Sequence, residues 1–436
     1  MNAFNELVKE ADRQRKQQQY LEAQNLYRQA WEEYPTMRTK WIGWGLAYCH
    51  YKNGKHHEAL EICRMVYKMD SSFENNRSLY AWTIYHTAIK ITTEASIDEA
   101  LKAGNAIKQL VSVHDPYSPI KQTIASLVRL LGNKEQYASE LLSWCNIIDE
   151  NRLDDTPRIV GKESDAVEMA SIKETIMVAK CKAYYSLGFY SDCIAFCIHT
   201  MAHFKRFHHG NEVWLRRLIA KSEAKLGNLD KAIALYQKIK VRKRDFFIVK
   251  ELGDLYLEQG EKEKALQAYF ESVLAPGDIN LKVSLYRSLI DLLEGGDRQQ
   301  LCRKVGALYV AVRLSNGWNL SPDIMERYAQ TIDTHKERID VRVYERQVRA
   351  AIEEMMGTLE SRIVGVVYTI LPNGMAGFIR TKDGHKYYFR KNGTARNVNI
   401  GEKVSFALRD SFDAKKNAPS KEAVGIKIVA DMGKNT

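Results

Sequence analysis

The chain has 436 residues, 45% of them hydrophobic and 27% charged, with 25 glycines and only 8 prolines. That length and mix exclude a mini-protein, a mainly disordered chain and an all-β protein of many tight turns, and they favour roughly two to four domains rich in helix. The net charge of +11 is uneven: residues 361–436 hold 14 Lys and Arg against 6 Asp and Glu, and the first 360 hold 51 against 48. A C-terminal block so unbalanced either gathers a polyanion through phosphate contacts and counterion release or serves as a solubilising tail.

The longest stretch without a charged side chain, Ile363 to Ile379, is interrupted by Pro372, Asn373 and glycines. It is too short and too broken to span a bilayer, so no membrane partner is expected. The polar N-terminus lacks an apolar export segment, and seven cysteines form no even disulfide framework. A cytoplasmic location follows as the expectation.

From the N-terminus to residue 335 the chain repeats itself. Val213 to Ile239 carries Ala220, Leu226-Gly227, Ala232-Ile233 and Tyr236. Val249 to Ser272 carries Leu252-Gly253, Tyr256, Gly260, Ala265-Leu266 and Tyr269, and Gly227 and Gly260 lie 33 residues apart. Leu7 to Pro35 shows the same scheme with Ala11, Tyr20, Ala23, Tyr27 and Ala30. These segments resemble the tetratricopeptide repeat, a helix-turn-helix unit of 34 residues. Small residues such as Ala11 and Ala23 let two helices approach closely, and Tyr27, one turn later, fills the gap toward the next unit. Weaker copies around Leu46, Ala88, Leu131 and Leu187 extend the pattern to an expected seven or eight helix pairs, an α-helical solenoid. The polar segment between Asp149 and Asp165 is expected as a long exposed loop that divides it. The resemblance implies a groove that binds a protein or peptide partner. The alternatives are an array that only spaces or dimerises the chain, and a homo-oligomer is left open.

Residues 336–360 read as a long amphipathic helix, with Val341, Tyr344, Val348, Ile352 and Met355 at helical spacing. It either caps the array or pairs with a partner helix. After Ser361 the period becomes two. Ile363–Ile370, Met375–Thr381, Lys386–Arg390, Lys403–Leu408 and Ala423–Val429 are five expected strands, and they predict a small antiparallel β-barrel over residues 361–430 with a polar tail at 431–436. Gly365-Val366-Val367, Gly377-Phe378-Ile379, Tyr387-Tyr388-Phe389 and the run Gly401 to Phe406 resemble the cold-shock domain, a member of the oligonucleotide-binding (OB) class; an S1-type barrel is the close second.

The resemblance implies binding of single-stranded RNA or DNA, with RNA placed ahead. Four family positions depart from it: Thr369 and Ile370 stand for the usual aromatic pair, Ala376 for an aromatic, and Arg390 for a histidine. The remaining candidate face is Phe378, Arg380, Tyr388 and Arg390, flanked by Lys382, Lys386, Lys391 and Arg396, rings to stack bases and cations to meet phosphates. Cys193 and Cys197, with His199, His203, His208 and His209 following, lie at packing positions of the repeat rather than at a zinc site, and no phosphate loop or nucleophile motif occurs. No metal, cofactor or catalytic residue is expected. The expected function is a non-enzymatic adaptor. The alternatives are a protein-only scaffold or peptide-sensing regulator, and a non-catalytic subunit of a nucleic-acid-processing complex.

Overall fold

The protein is seen here as a computed structural model that describes residues 2–92, 96–132, 134–161, 165–332, 339–359, 362–391, 397–413 and 418–429. It divides into two compact units, Met1–Ser222 and Glu223–Thr436. In the first, α1 (Asn2–Lys16), α2 (Tyr20–Glu33), α3 (Lys40–Lys52), α4 (His56–Met69), α5 (Glu74–Ile84), α6 (Ile97–Leu110), α7 (Ile120–Leu131) and α8 (Ala138–Cys145) each pack on the next. A two-stranded hairpin of β1 (Arg158–Val160) and β2 (Val167–Met169) follows, then α9 (Ile172–Ser186), α10 (Tyr190–His203) and α11 (Asn211–Lys225). The second unit holds α12 (Leu229–Arg242), α13 (Phe246–Glu258), α14 (Lys262–Leu274), α15 (Val283–Leu293), α16 (Gln299–Ser315), α17 (Pro322–Tyr328), α18 (Val341–Leu359) and a C-terminal barrel. Among the described residues no helix is long and apolar enough to cross a membrane.

The repeat physics is visible residue by residue. Ala11, Ala23, Ala220, Ala232 and Ala265 are fully buried, as are Tyr27, Tyr236 and Tyr269. Gly227 and Gly260 turn between paired helices at φ 82° and 81°, a left-handed conformation that a side chain resists. Beneath the Tyr27 and Tyr269 rings lies a glycine. A Cβ on Gly45 would stand 2.6 Å from the Tyr27 ring, and one on Gly253 would stand 2.6 Å from that of Tyr269. Tyr256 departs from the expected packing set. It lies half-exposed, and its hydroxyl accepts from Gln237 at 2.8 Å, because Gly253 has taken the contact one turn earlier.

The segment expected as an open loop is partly ordered by the β1–β2 hairpin. One residue anchors it. His208 donates through Nδ1 to buried Glu174 at 2.7 Å and through Nε2 to Glu168 of β2 at 2.8 Å, and Asn211 completes the shell on Glu174.

The helix α18 lies on α16 with Val348 and Ile352 fully buried. Its Arg349 donates to the carbonyls of Val273 and Leu274 at 3.0 and 3.1 Å, and buried Lys282 donates to Val273 and Ala275 at 3.0 and 2.5 Å. Two cations thus satisfy the orphan carbonyls at the C-terminus of α14.

The barrel comprises β3 (Ile363–Ile370), β4 (Ala376–Thr381), β5 (Lys386–Arg390), β6 (Lys403–Asp413) and β7 (Ala418–Ile428), closed in the order β3-β4-β5-β7-β6. It is mixed, not antiparallel as expected, since β5 and β7 run parallel at Tyr388 and Glu422. Parity forces this. The first three strands alternate in direction, β6 returns antiparallel beside β3, and β7, hairpinned from β6, enters the slot next to β5 pointing the same way. Val367, Ile379, Phe389, Val404, Phe406, Ala423 and Ile426 fill the interior.

Candidate nucleic-acid interface

Strand alternation decides which side chains reach the outer face of β3, β4 and β5. Gly365, Val367, Ile379 and Phe389 point in, so Val364, Val366, Phe378, Arg380, Lys386, Tyr388 and Arg390 point out. Phe378 and Tyr388 stand opposite each other across β4 and β5, their rings 5.7 Å apart in an edge-on arrangement and both half-buried. Edge-on pairing of this kind contributes about 0.5–1.5 kcal/mol beyond area burial and still leaves one ring face for a ligand.

Beside this pair is a residue that the sequence reading passed over. Tyr368, 45% exposed, lies at a β-bulge between Val367 and Thr369. The Arg380 guanidinium lies 3.6 Å over its ring and the Lys386 ammonium 4.7 Å away. The signal for it in the sequence is the alternation itself, since Val364, Val366 and Tyr368 share one face. Tyr368 also lines a hollow of about 320 Å³ with Val364, Val366, Arg380, Lys382, Ile400 and Lys403. Apolar floor and basic rim together form a surface able to hold a flat ring and a neighbouring anion.

The other expected residues scatter more. Lys382 and Lys386 are exposed on this side and Lys391 is half-buried at the end of β5. Arg390 is exposed yet turned toward Glu422 of β7, 3.8 Å away, which also holds Arg409 at 3.3 Å. Its charge is partly engaged rather than offered beside Tyr388. Arg396 lies outside the described residues.

The first unit carries a second surface that sequence reading left without residues. Along α3, Trp41, Trp44, Tyr48 and Tyr51 recur at helical spacing, with ring centroids 6.3 Å apart for Trp41–Trp44 and 5.5 Å for Trp44–Tyr48. Arg15 lies 5.0 Å over Trp44 and Lys52 5.3 Å over Tyr48. The ladder ends at His86, on a π-helical turn after α5, where Tyr51 Oη lies 3.2 Å from Nε2 and His56 stacks at 4.4 Å. Burial, helped by His56 and Lys90, pushes His86 down to about 4, so this end is neutral at pH 7. Among the described residues no cluster of three or more His, Cys, Asp or Glu is placed to hold a metal ion.

This architecture, helical repeats followed by a closed mixed barrel, agrees with the family comparison as far as that comparison reaches. The tetratricopeptide-repeat model matches residues 8–72 and 217–279, α1 to α4 and the end of α11 to α14, so the chain contains tetratricopeptide repeats. Similar solved structures include a tetratricopeptide repeat protein from Parabacteroides merdae, 15% identical over 67% of this chain and 99% of that one, with a TM-score of 0.29. The Naa15/Naa10 complex bound to HypK-THB is 13% identical over 82% of this chain and 52% of that one, with a TM-score of 0.40. BtubC from P. vanneervenii is 13% identical over 52% of this chain and 93% of that one, with a TM-score of 0.36. No curated protein matches the chain.

Proposed function

We propose that the chain is a non-catalytic adaptor whose helical repeats hold a protein or peptide partner while its barrel contacts single-stranded RNA or DNA. The observation that carries the second half is the stack of Arg380 and Lys386 on Tyr368 beside the Phe378–Tyr388 pair. Three rings and two cations on one face match the demands of unpaired nucleotides, which present a π-face at each base and a charge at each phosphate. The return of β6 beside β3 makes the strand order Greek-key, which supports the OB-class, cold-shock-like reading of the barrel. For the repeats, the aromatic ladder of α3 with Arg15 and Lys52 supplies rigid anchors of the kind that dominate peptide interfaces.

Titrating the full chain into a labelled single-stranded oligonucleotide tests the barrel. Binding that falls with salt and weakens on Phe378→Ala is the expected result. Binding absent at low salt, or indifferent to Phe378→Ala and Tyr388→Ala together, leaves the protein-only scaffold, a reading that the ties of Arg390 to Glu422 and of Arg244 to the Asp410 carbonyl favour.

A further inference from the structure

The outward side chains of β3 are apolar where a solvated strand would be polar. Val364, Val366 and Tyr368 are 43%, 44% and 45% exposed, and Ile400, in the turn before β6, is 62% exposed. These four groups are gathered in one place. They line the hollow of about 320 Å³ described above, and Arg380, Lys382 and Lys403 line it with them. Its size is at the lower end of clefts that hold small ligands.

The cations of the hollow are not there for pairing within the barrel. The two carboxylates nearest to them in sequence are engaged: Asp383 accepts from the Thr381 hydroxyl, and Glu402 accepts from the backbone and side chain of Asn399 at 3.0 and 3.2 Å. Among the described residues no carboxylate forms an ion pair with Arg380, Lys382, Lys386 or Lys403. Register sets three of them in line. Lys403 faces Val366, Val366 faces Arg380, and Arg380 faces Lys386. This row crosses β6, β3, β4 and β5 beside the row of Phe378 and Tyr388, two residues or about 7 Å away along β4.

The lining selects its occupant. Free positive charge at the edge excludes a cation, and a bare phosphate would leave the apolar floor in water. A planar ring that carries an anion satisfies both. Continuity with the aromatic row then favours a nucleotide of the strand that stacks there.

We infer that the hollow is a nucleotide subsite separate from the Phe378–Tyr388 platform: one base lies against Val364, Val366 and Ile400 with Tyr368 at its edge, and Lys382 and Lys403 meet the phosphate of that nucleotide. The inference rests on the nucleic-acid reading of the barrel and extends its site from β4 and β5 across β3 to β6. Lys403 and Ile400 thereby become ligand contacts, although neither lies on the strands that carry the rings.

The test uses the full chain and a labelled oligouridine, titrated across salt concentrations with the wild type, Lys382→Gln with Lys403→Gln, and Phe378→Ala with Tyr388→Ala, each checked for its fold by circular dichroism. Two cations on one phosphate account for about 0.7 in the slope of log K against log salt, which is about fivefold at roughly 0.1 M salt. The lysine variant is expected to show that loss. A second measurement reads the floor directly. All seven native cysteines are buried, so Ile400→Cys supplies an exposed thiol that an alkylating reagent reaches first. Saturating oligouridine is expected to slow its alkylation severalfold. A wild-type slope in the lysine variant, or alkylation at position 400 as fast with the oligonucleotide as without it, alongside weakened binding in the aromatic variant, overturns the inference and keeps the barrel reading. No binding by the wild type, or no effect of the aromatic variant, overturns both.

Discussion

At the scale of single residues, Tyr368 is the most exposed of the three rings on the barrel face, and the interior does not depend on it. Its removal separates recognition from stability. Tyr368→Ala is expected to cost about 1–3 kcal/mol of single-strand affinity, the worth of one stacked base. The thermal midpoint should stay close to that of the wild type, because an exposed ring contributes little burial. Fluorescence anisotropy beside a melting curve measures both; a midpoint that collapses with affinity would make the ring a packing residue. The cations over it are part of the effect, since Arg380 and Lys386 are positioned by the ring they cover. Thr369→Ala, at the bulge partner half-buried beside it, should leave affinity unchanged.

At the scale of elements, the contact between paired helices depends on a missing Cβ. Gly253→Ala places a methyl 2.6 Å from the Tyr269 ring, and the ring is fully buried with its hydroxyl tied to Asp254 at 2.8 Å, so it has little room to yield. A destabilisation of about 1–3 kcal/mol is expected in denaturant unfolding, whatever the gain in helix propensity. The β1–β2 hairpin responds to pH instead. His208 is raised above its usual range by hydrogen bonds to Glu174 first and Glu168 second, and Glu168 is held low by His208 and Arg206. A raised histidine contributes stability that is complete below its unfolded value of about 6.5 and is lost as pH rises through its folded value; the depressed Glu168 loses its share as pH falls below the carboxylate range. Amide protection factors at β1 and β2, corrected for the intrinsic exchange rate, should therefore be highest between those limits and fall toward alkaline pH. His208→Gln should remove the alkaline arm of that profile. Protection factors flat across pH 6 to 9 in the wild type would detach the hairpin from His208.

The elements also show what a sequence makes legible. Ala23 with Tyr27 and Ala265 with Tyr269 could be placed from spacing alone, because close helix contact demands small and large residues at fixed intervals. Tyr256 could not, since Gly253 and Tyr256 are both compatible with the same face and only the three-dimensional partner decides between them. Phe378 and Tyr388 were legible from alternation. The engagement of Arg390 by Glu422 was not, because it depends on a parallel neighbour that arrives about thirty residues later in the chain. The ladder of α3 escaped notice for another reason: Trp44, Tyr48 and Tyr51 also pack against the core, and a periodic aromatic face reads as packing until its exposed edge is seen.

At the scale of the whole molecule, α18 closes the apolar end of the second unit's helices. Val348 and Ile352 complete a core that includes Leu285, Leu289, Val305 and Leu308. A solenoid whose last apolar face is uncovered aggregates, since terminal repeats need a polar outer side. Two truncations separate the contributions. A chain ending at residue 360 keeps α18 and is expected to remain helical and monodisperse. A chain ending at residue 340 exposes that core and is expected to aggregate or melt at a much lower temperature. Equal behaviour of the two by circular dichroism and size-exclusion chromatography would deny α18 its capping role.

The parallel pairing of β5 with β7 imposes an order on synthesis. A nascent chain that has left the ribosome only as far as β6 has an unfilled slot, bounded by two bare strand edges, and such edges invite pairing with other chains. Only when Ala418–Ile428 emerges does the cylinder shut. The cylinder is therefore closed last, by a distant segment, so translation that stops early should yield a sticky half-barrel prone to intermolecular strand exchange.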